Sequence, residues 1–225
     1  MGSTATLRDH LVDELNDLHS AEEQLIEALP KMAKKASDKQ LKTAIQNHLA
    51  QTRTHVQRVS TALKALGEKP AGKTCQAMKG LLKEGEELMS GNDPGALLDA
   101  MMITAAQKVE HYEIATYGTV CTYANVLGER KVSAALAPTL KEEKAADKKL
   151  TSIAEGSVNA RASKEWHERA NDSMIEKGAH WVGLTAGRMA SKLLPRGLAS
   201  DKATANTRAS SAGRSRPRTR AGRKK

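Results

Sequence analysis

Four amphipathic segments of this chain carry acids and histidines on faces that should be wholly apolar, and nothing else in the sequence constrains its fold so tightly. On a helix, the members of one face recur at i, i+3, i+4 and i+7. The first segment presents Leu11, Leu15, Leu18, Glu22, Leu25 and Leu29. The second presents Leu41, Ile45, His48, Thr52, His55, Val59 and Leu63, with Gln51 beside them. The third presents Leu98, Met102, Ala106, Glu110, Glu113 and Tyr117, and the fourth Leu136, Leu140, Glu143, Asp147, Leu150 and Ala154. A carboxylate removed from water must be paired, protonated or bound to a cation. Acids converging from several helices therefore point to a metal.

The rest of the composition agrees with helices. The chain has no Phe, and Trp166, Trp181, Tyr112, Tyr117 and Tyr123 are its only aromatic residues apart from histidines. Leu, Ala, Val and Met must fill the core, which suits close helix packing and argues against an aromatic-rich β sandwich. The two cysteines, Cys75 and Cys121, stand far apart with no CxxC, as expected of reduced thiols in a cytoplasmic protein. No run of about 18 apolar residues offers a membrane span. Asp9, His10, Asp13 and Glu14 interrupt any apolar stretch of the kind a secretory leader needs.

Punctuation divides the chain. Segment one is predicted from Thr4 to Lys35, with Pro30 kinking or dividing it. Segment two opens at Ser37-Asp38-Lys39-Gln40, which reads as a capping box, and stops at Gly67. A short crossover helix is expected from Thr74 to Ser90. Asp93 and Pro94 then read as the cap and first turn of segment three, which runs to Leu127 and ends at Gly128. Segment four carries Pro138 as an early kink or restart and is expected to end at Gly156. A weak internal repeat supports the layout: His19 and Glu22 share the spacing of Glu110 and Glu113, and Gln51 and His55 that of Glu143 and Asp147. The expected fold is all-α, a ferritin-like four-helix bundle with a short crossover helix and a basic C-terminal extension. Its parts are the bundle (1–156), a helical extension with Trp166 and Trp181 packed on the bundle (157–186), and a largely disordered basic tail (187–225).

Iron and manganese favour carboxylate oxygen and imidazole nitrogen, and two such ions about 3.5–4 Å apart need shared carboxylates. Glu22, His55, Glu110, Glu113, Glu143 and Asp147 form a consistent ligand set. Gln51 offers either a neutral oxygen or a supporting hydrogen bond, and His19, Tyr112 and Tyr117 are candidate neighbours of the metals, supporting or redox-active. A single inward Glu is more often solvated at a helix edge or paired with lysine, here Lys108, Lys144 or Lys148. That explanation has to hold on three helices at once. No nucleotide, flavin or haem signature occurs, nor a rubredoxin-type cysteine pair, so any electron donor must come from elsewhere. The candidate activity is oxidation of ferrous iron or reduction of peroxide. The competing class is a non-catalytic scaffold or nucleic-acid-associated protein with a vestigial metal site.

The stretches DELNDLHSAEEQLIEALPKMA, HLAQTRTHVQRV, VEHYEIATYGT and LKEEKAADKKLTSIA resemble the YciF-like family of bacterial ferritin-like proteins over roughly residues 5–156. The resemblance implies a bundle related to rubrerythrin, a homodimer and a part in bacterial stress responses. It carries metal-type residues onto Glu22, His55, Glu110, Glu113, Glu143 and Asp147. Two positions depart from the family pattern: Gln51 stands where the family often has Glu, and His19 where it often has Tyr. Gln51 removes one negative charge from the site, which puts full two-metal occupancy in question.

The chain's net charge of +10 belongs to its end. Twelve Lys or Arg lie from Gly187 to Lys225 against one acid, Asp201, so the preceding 186 residues sit near −1. Arg208, Arg214, Arg216, Arg218, Arg220, Arg223, Lys224 and Lys225 are candidate polyanion contacts. Such a stretch has no folded reader of base edges, so DNA, its leading partner, would be bound without sequence preference and with steep salt dependence. An anionic membrane and an acidic protein are the other partners of this charge class.

Overall fold

Helix α1 (Leu7–Lys35) runs unbroken through Pro30, which forfeits one backbone hydrogen bond without dividing the rod. The computed structural model describes residues 6–169; Trp181 and the whole basic stretch from 187 lie outside them. After α1 come α2 (Lys39–Ala65), α3 (Gln76–Ser90), α4 (Ala96–Val126) and α5 (Arg130–Ile153). The described chain is all helix and connection, as the patterning requires.

Local chemistry sets the boundaries. Thr6 caps α1 by accepting from the Asp9 amide, and Asp38 caps α2 by accepting from the amides of Gln40 and Leu41. Gly67 and Gly128 follow the ends of α2 and α4 at φ of 79° and 77°, the left-handed conformation that only glycine adopts at little cost. Three expectations are corrected. Asp93 does not cap helix α4 and Pro94 is not in its first turn: the helix begins at Ala96, and the free amides of Ala96 and Leu97 are met by the Glu165 carboxylate at 3.0 and 3.3 Å. Helix α5 does not stop at Gly156, because a π-helical turn, Ala154–Val158, carries it into a further helical stretch, 159–169. Trp166, on that stretch, is 59% exposed and lies edge-on to His167 rather than packing into the bundle.

Helices α1 and α2 form one antiparallel hairpin and α4 and α5 the other, with α3 in the crossover between them. Helix α1 also packs on α4, and α2 on α5, closing a four-helix square, while α3 leans on α4 and α1. This is the ferritin-like arrangement. Asp99 ties the two hairpins together: fully buried, it accepts the amides of Ser37 and Asp38 at 2.9 and 2.8 Å in the turn between α1 and α2.

Two apolar clusters fill the square, one at each end. Leu25, Leu29, Leu41, Ile45, Leu98 and Met102 belong to the first, and Leu11, Leu15, Leu18, Val59, Leu63, Val120 and Leu136 to the second. Cys75 and Cys121 are both buried and free, one in each cluster. The polar residues of the helical faces lie in the layer between. No described helix is long and apolar enough to cross a membrane.

Substituting Asp99→Ala leaves two partly buried amides without their acceptor. Urea unfolding should show a loss of about 1–3 kcal/mol, and Asp99→Asn, which keeps one carbonyl acceptor, a smaller one.

Candidate metal centre

The layer between the apolar clusters is built by one or two side chains from each of four helices. Glu22 comes from α1, His48 and His55 from α2, Glu110 and Glu113 from α4, and Glu143 from α5. Glu22, His55, Glu113 and Glu143 are fully buried, and Glu110 and His48 nearly so. Seven-residue spacing brings His48 and His55 onto one face of α2, and three-residue spacing does the same for Glu110 and Glu113 on α4.

These side chains form two groups sharing Glu143. In the first, Glu22, His55 and Glu143 offer one donor atom each; in the second, His48, Glu110, Glu113 and Glu143 do so. Within each group the donor atoms lie within 4.8 Å of one another. At metal–ligand bond lengths of about 2.0–2.2 Å, two donors on opposite sides of one ion stand about 4–4.4 Å apart, so small adjustments close either set on a cation.

Hydrogen bonding leaves the layer unfinished. Nine buried side-chain oxygens and nitrogens lack a hydrogen-bond partner among the described residues, and all nine belong to Glu22, His48, His55, Glu110, Glu113 and Glu143. Folded proteins rarely leave buried polar atoms orphaned, and never cheaply. His55 shows the pattern best. Its Nε2 lies 2.9 Å from Glu142 Oε2, while Nδ1 faces Glu143 Oε1 at 2.9 Å and Glu22 Oε1 at 3.4 Å without hydrogen-bond alignment. Arg58 holds Glu142 with both guanidinium nitrogens, at 2.5 and 3.2 Å. With the Nε2 proton given to Glu142, the Nδ1 lone pair points at the carboxylates, the orientation of a metal-ligating imidazole steadied by an outer carboxylate.

The electrostatics agree. Burial raises the carboxyl groups of Glu22, Glu110 and Glu113 above the ordinary value of 4.5, and the neighbouring acids raise Glu110 and Glu113 further. Burial opposes a charge on His55, but Glu143 and Glu22 outweigh it and push its pKa up to about 10. Burial lowers the pKa of His48, which leaves that ring neutral and able to donate a lone pair. Arg58 holds Glu142 below the usual carboxylate range. Without a cation, protons shared among the acids and on His55 hold the layer together. Two divalent cations would balance the four carboxylates of the two groups with both imidazoles neutral.

The residues expected around the site divide. Glu22, His55, Glu110, Glu113 and Glu143 come together. Asp147 turns toward the flank of α5, where its Oδ1 accepts from Gln107 Nε2 at 3.0 Å and lies 3.4 Å from His111, and it belongs to neither donor group. His19 likewise turns away, with Ser60 Oγ at 3.1 Å and Glu23 at 3.4 Å. Tyr117 is fully buried and donates to Glu22 Oε1 at 2.5 Å. Gln51 lines a cleft beside His48 and Glu110. Tyr112 turns away from the layer to the buried Cys75, 3.1 Å away. Lys108 pairs with Glu84 on α3 and not with the buried acids. His48, Glu142 and Arg58 are the members that sequence reading left out. His48 stood on the α2 face, one heptad before His55, and that spacing was the signal.

Replacing a buried acid that has no partner relieves the metal-free fold. Glu113→Leu should raise the stability of the chelator-treated protein by about 1–4 kcal/mol in thermal or urea unfolding. The pH dependence has a definite sign. Raised carboxyls and a raised histidine make the metal-free folded state bind more protons than the unfolded chain. Its stability therefore falls as pH rises above 4.5 through the raised values, and melting curves recorded in chelator from pH 5 to 8 read this directly.

Known proteins share this framework. Escherichia coli (strain K12) Protein YciF is 42% identical over 158 residues, which cover 70% of this chain and 95% of that protein. The crystal structure of the E. coli stress protein YciF superposes with a TM-score of 0.67 at 41% identity, over 69% of this chain and 99% of that one. A putative structural protein from Rhodopseudomonas palustris follows at 0.64 and 40%, over 67% and 96%. A protein from Xanthomonas campestris pv. campestris, at 0.56 and 24% over 72% and 99%, shares the fold. Residues 6–163 match the family described as Domain of unknown function (DUF892). With most of its length matched and 42% identity to YciF, the chain belongs to that family.

Proposed function

We propose that this chain binds two divalent cations in its buried layer, iron first and manganese second, and acts as a ferritin-like stress protein that oxidises ferrous iron or reduces peroxide. One observation carries the reading: all the orphaned buried polar atoms among the described residues fall on six side chains of that layer. Oxygen and imidazole donors suit both metals. Glu22 and His55 would hold one ion, His48, Glu110 and Glu113 the other, and Glu143 would join them. Bound ferrous iron would supply the reducing electrons. The protein's own part is to place donors, orient them and exclude water. Glu142 and Arg58 fix the face of His55, and Tyr117 fixes Glu22. The apolar clusters keep both ends of the layer dry. Asp147 would support the site from the flank through Gln107 and His111.

Similarity to a protein called a stress protein supports the physiological setting, the resemblance supports a homodimer, and the free cysteines Cys75 and Cys121 support a cytoplasmic location. The basic residues from 187 onward would tether the bundle to DNA, where an iron or peroxide sink would intercept damage close to its target.

Elemental analysis after anaerobic loading with ferrous iron should find about two metals per chain. Glu22→Gln should lose one and Glu143→Gln both. A wild-type chain that takes up none, and whose melting temperature is unmoved by iron or manganese, would return the layer to a purely structural role in a scaffold protein. Binding displaces protons from the raised carboxyls, so affinity should fall as pH falls, by up to about tenfold per pH unit for each proton displaced. Oxygen uptake on adding ferrous iron separates turnover from binding alone. For the tail, DNA retention at low salt should disappear in a chain cut after Leu194; equal retention would exclude the tether.

A further inference from the structure

A groove along the flank of the bundle, between α2 and α5, encloses about 550 Å³, a volume typical of small-molecule sites. Its walls are two stripes at helical spacing. The α2 stripe runs from Lys39 through Ala44 and His48 to Gln51, and the α5 stripe from Lys149 through Ala146 and Ala145 to Glu142. The groove is open because alanines stand where larger side chains would interlock. Leu29, Met32 and Leu150 form its apolar lining beneath them.

Charge gives the groove a direction. Helices α2 and α5 run antiparallel, which brings Lys39 and Lys149 to the same end. Both are exposed. Among the described residues neither Lys39 nor Lys149 enters an ion pair, unlike Lys31, Lys73, Lys83, Lys108 and Lys164. Nine residues further along α2, about 13–14 Å at the rise of a helix, His48 and Glu110 line the groove beside the acid-rich layer. An anionic head is attracted at the first end and repelled at the second. An alkyl chain has apolar wall between them.

We propose that this groove binds a medium-chain, straight-chain monocarboxylate, its carboxylate between Lys39 and Lys149 and its tail along the alanines toward His48. The ligand's last carbons then lie against the wall of the buried layer. Binding at the lysine end requires no metal, so this site stands apart from the reading of the layer.

Calorimetric titration of the full chain in chelator, with hexanoate, octanoate and decanoate below their micelle concentrations, tests it. Affinity should rise about fourfold with each added methylene. Lys39→Glu/Lys149→Glu should weaken decanoate by about tenfold while leaving the chain-length trend intact. Ala44→Leu/Ala146→Leu, which fills the groove, should abolish binding yet keep metal uptake, so the two sites fail separately. If that variant does not fold, the surface lysine variant decides alone. Affinity independent of chain length, or equal affinity for decyltrimethylammonium, overturns the proposal. So does a chain that binds no decanoate and whose Ala145→Arg variant dissociates an oligomer in sedimentation, since a second copy would then cover the groove.

Discussion

Mutual repulsion among four carboxylates in one dry layer is the constraint around which this protein is organised. In a medium of low polarizability, like charges a few ångströms apart cannot all persist without a counter-charge. The neighbouring structure supplies only part of it. His55 lies between Glu143 and Glu22, which raise its pKa, and Arg58 stays on the rim with Glu142. Tyr117 gives Glu22 one hydrogen bond. A hydrophobic layer at the same height would be easier to fold. The buried acids of the layer could hold a metal ion.

The remainder of the bundle makes such a layer tolerable. Apolar clusters on either side supply most of the burial free energy, and the fixed caps at Asp38 and Glu165 set where α2 and α4 begin. Asp99 joins the hairpin turn of one half to the first turn of the other. These contacts hold the four helices in one register, so that donors from four separate rods arrive within a single ion's reach. Supporting groups act at one remove: Glu142 turns His55, and Arg58 turns Glu142.

Much of this was legible beforehand. Polar intrusions on helical faces pointed to five of the six side chains that meet in the buried layer, because a 3.6-residue period fixes which side chains share a face. Gly67 and Gly128 marked helix ends because few other residues accept a positive φ. His48 lies on the same face as His55, yet the spacing alone does not say that it joins the acids of α4 and α5. The internal repeat held where Glu22 matches Glu113, but not where His19 matches Glu110 or where Asp147 matches His55. His19 found Ser60 and Asp147 found Gln107, partners from other helices that no intrahelical spacing reveals. The continuation past Gly156 was missed for a related reason: a glycine ends a helix only when the chain has no packing to gain by going on. Here residues 159–169 gain the Glu165 cap on α4 and the Arg161 pairing with Asp38.

Sequence by itself determined the helical faces, the all-α class, the turn positions and the presence of acids where apolar side chains belong, because these follow from local periodicity and backbone preference. Tertiary structure decided which acids meet, that Glu143 serves both groups, and that His48 completes the second while Asp147 leaves it. Those outcomes depend on the rotation and height of one helix against another, set by contacts between residues as distant in the chain as Glu22 and Tyr117.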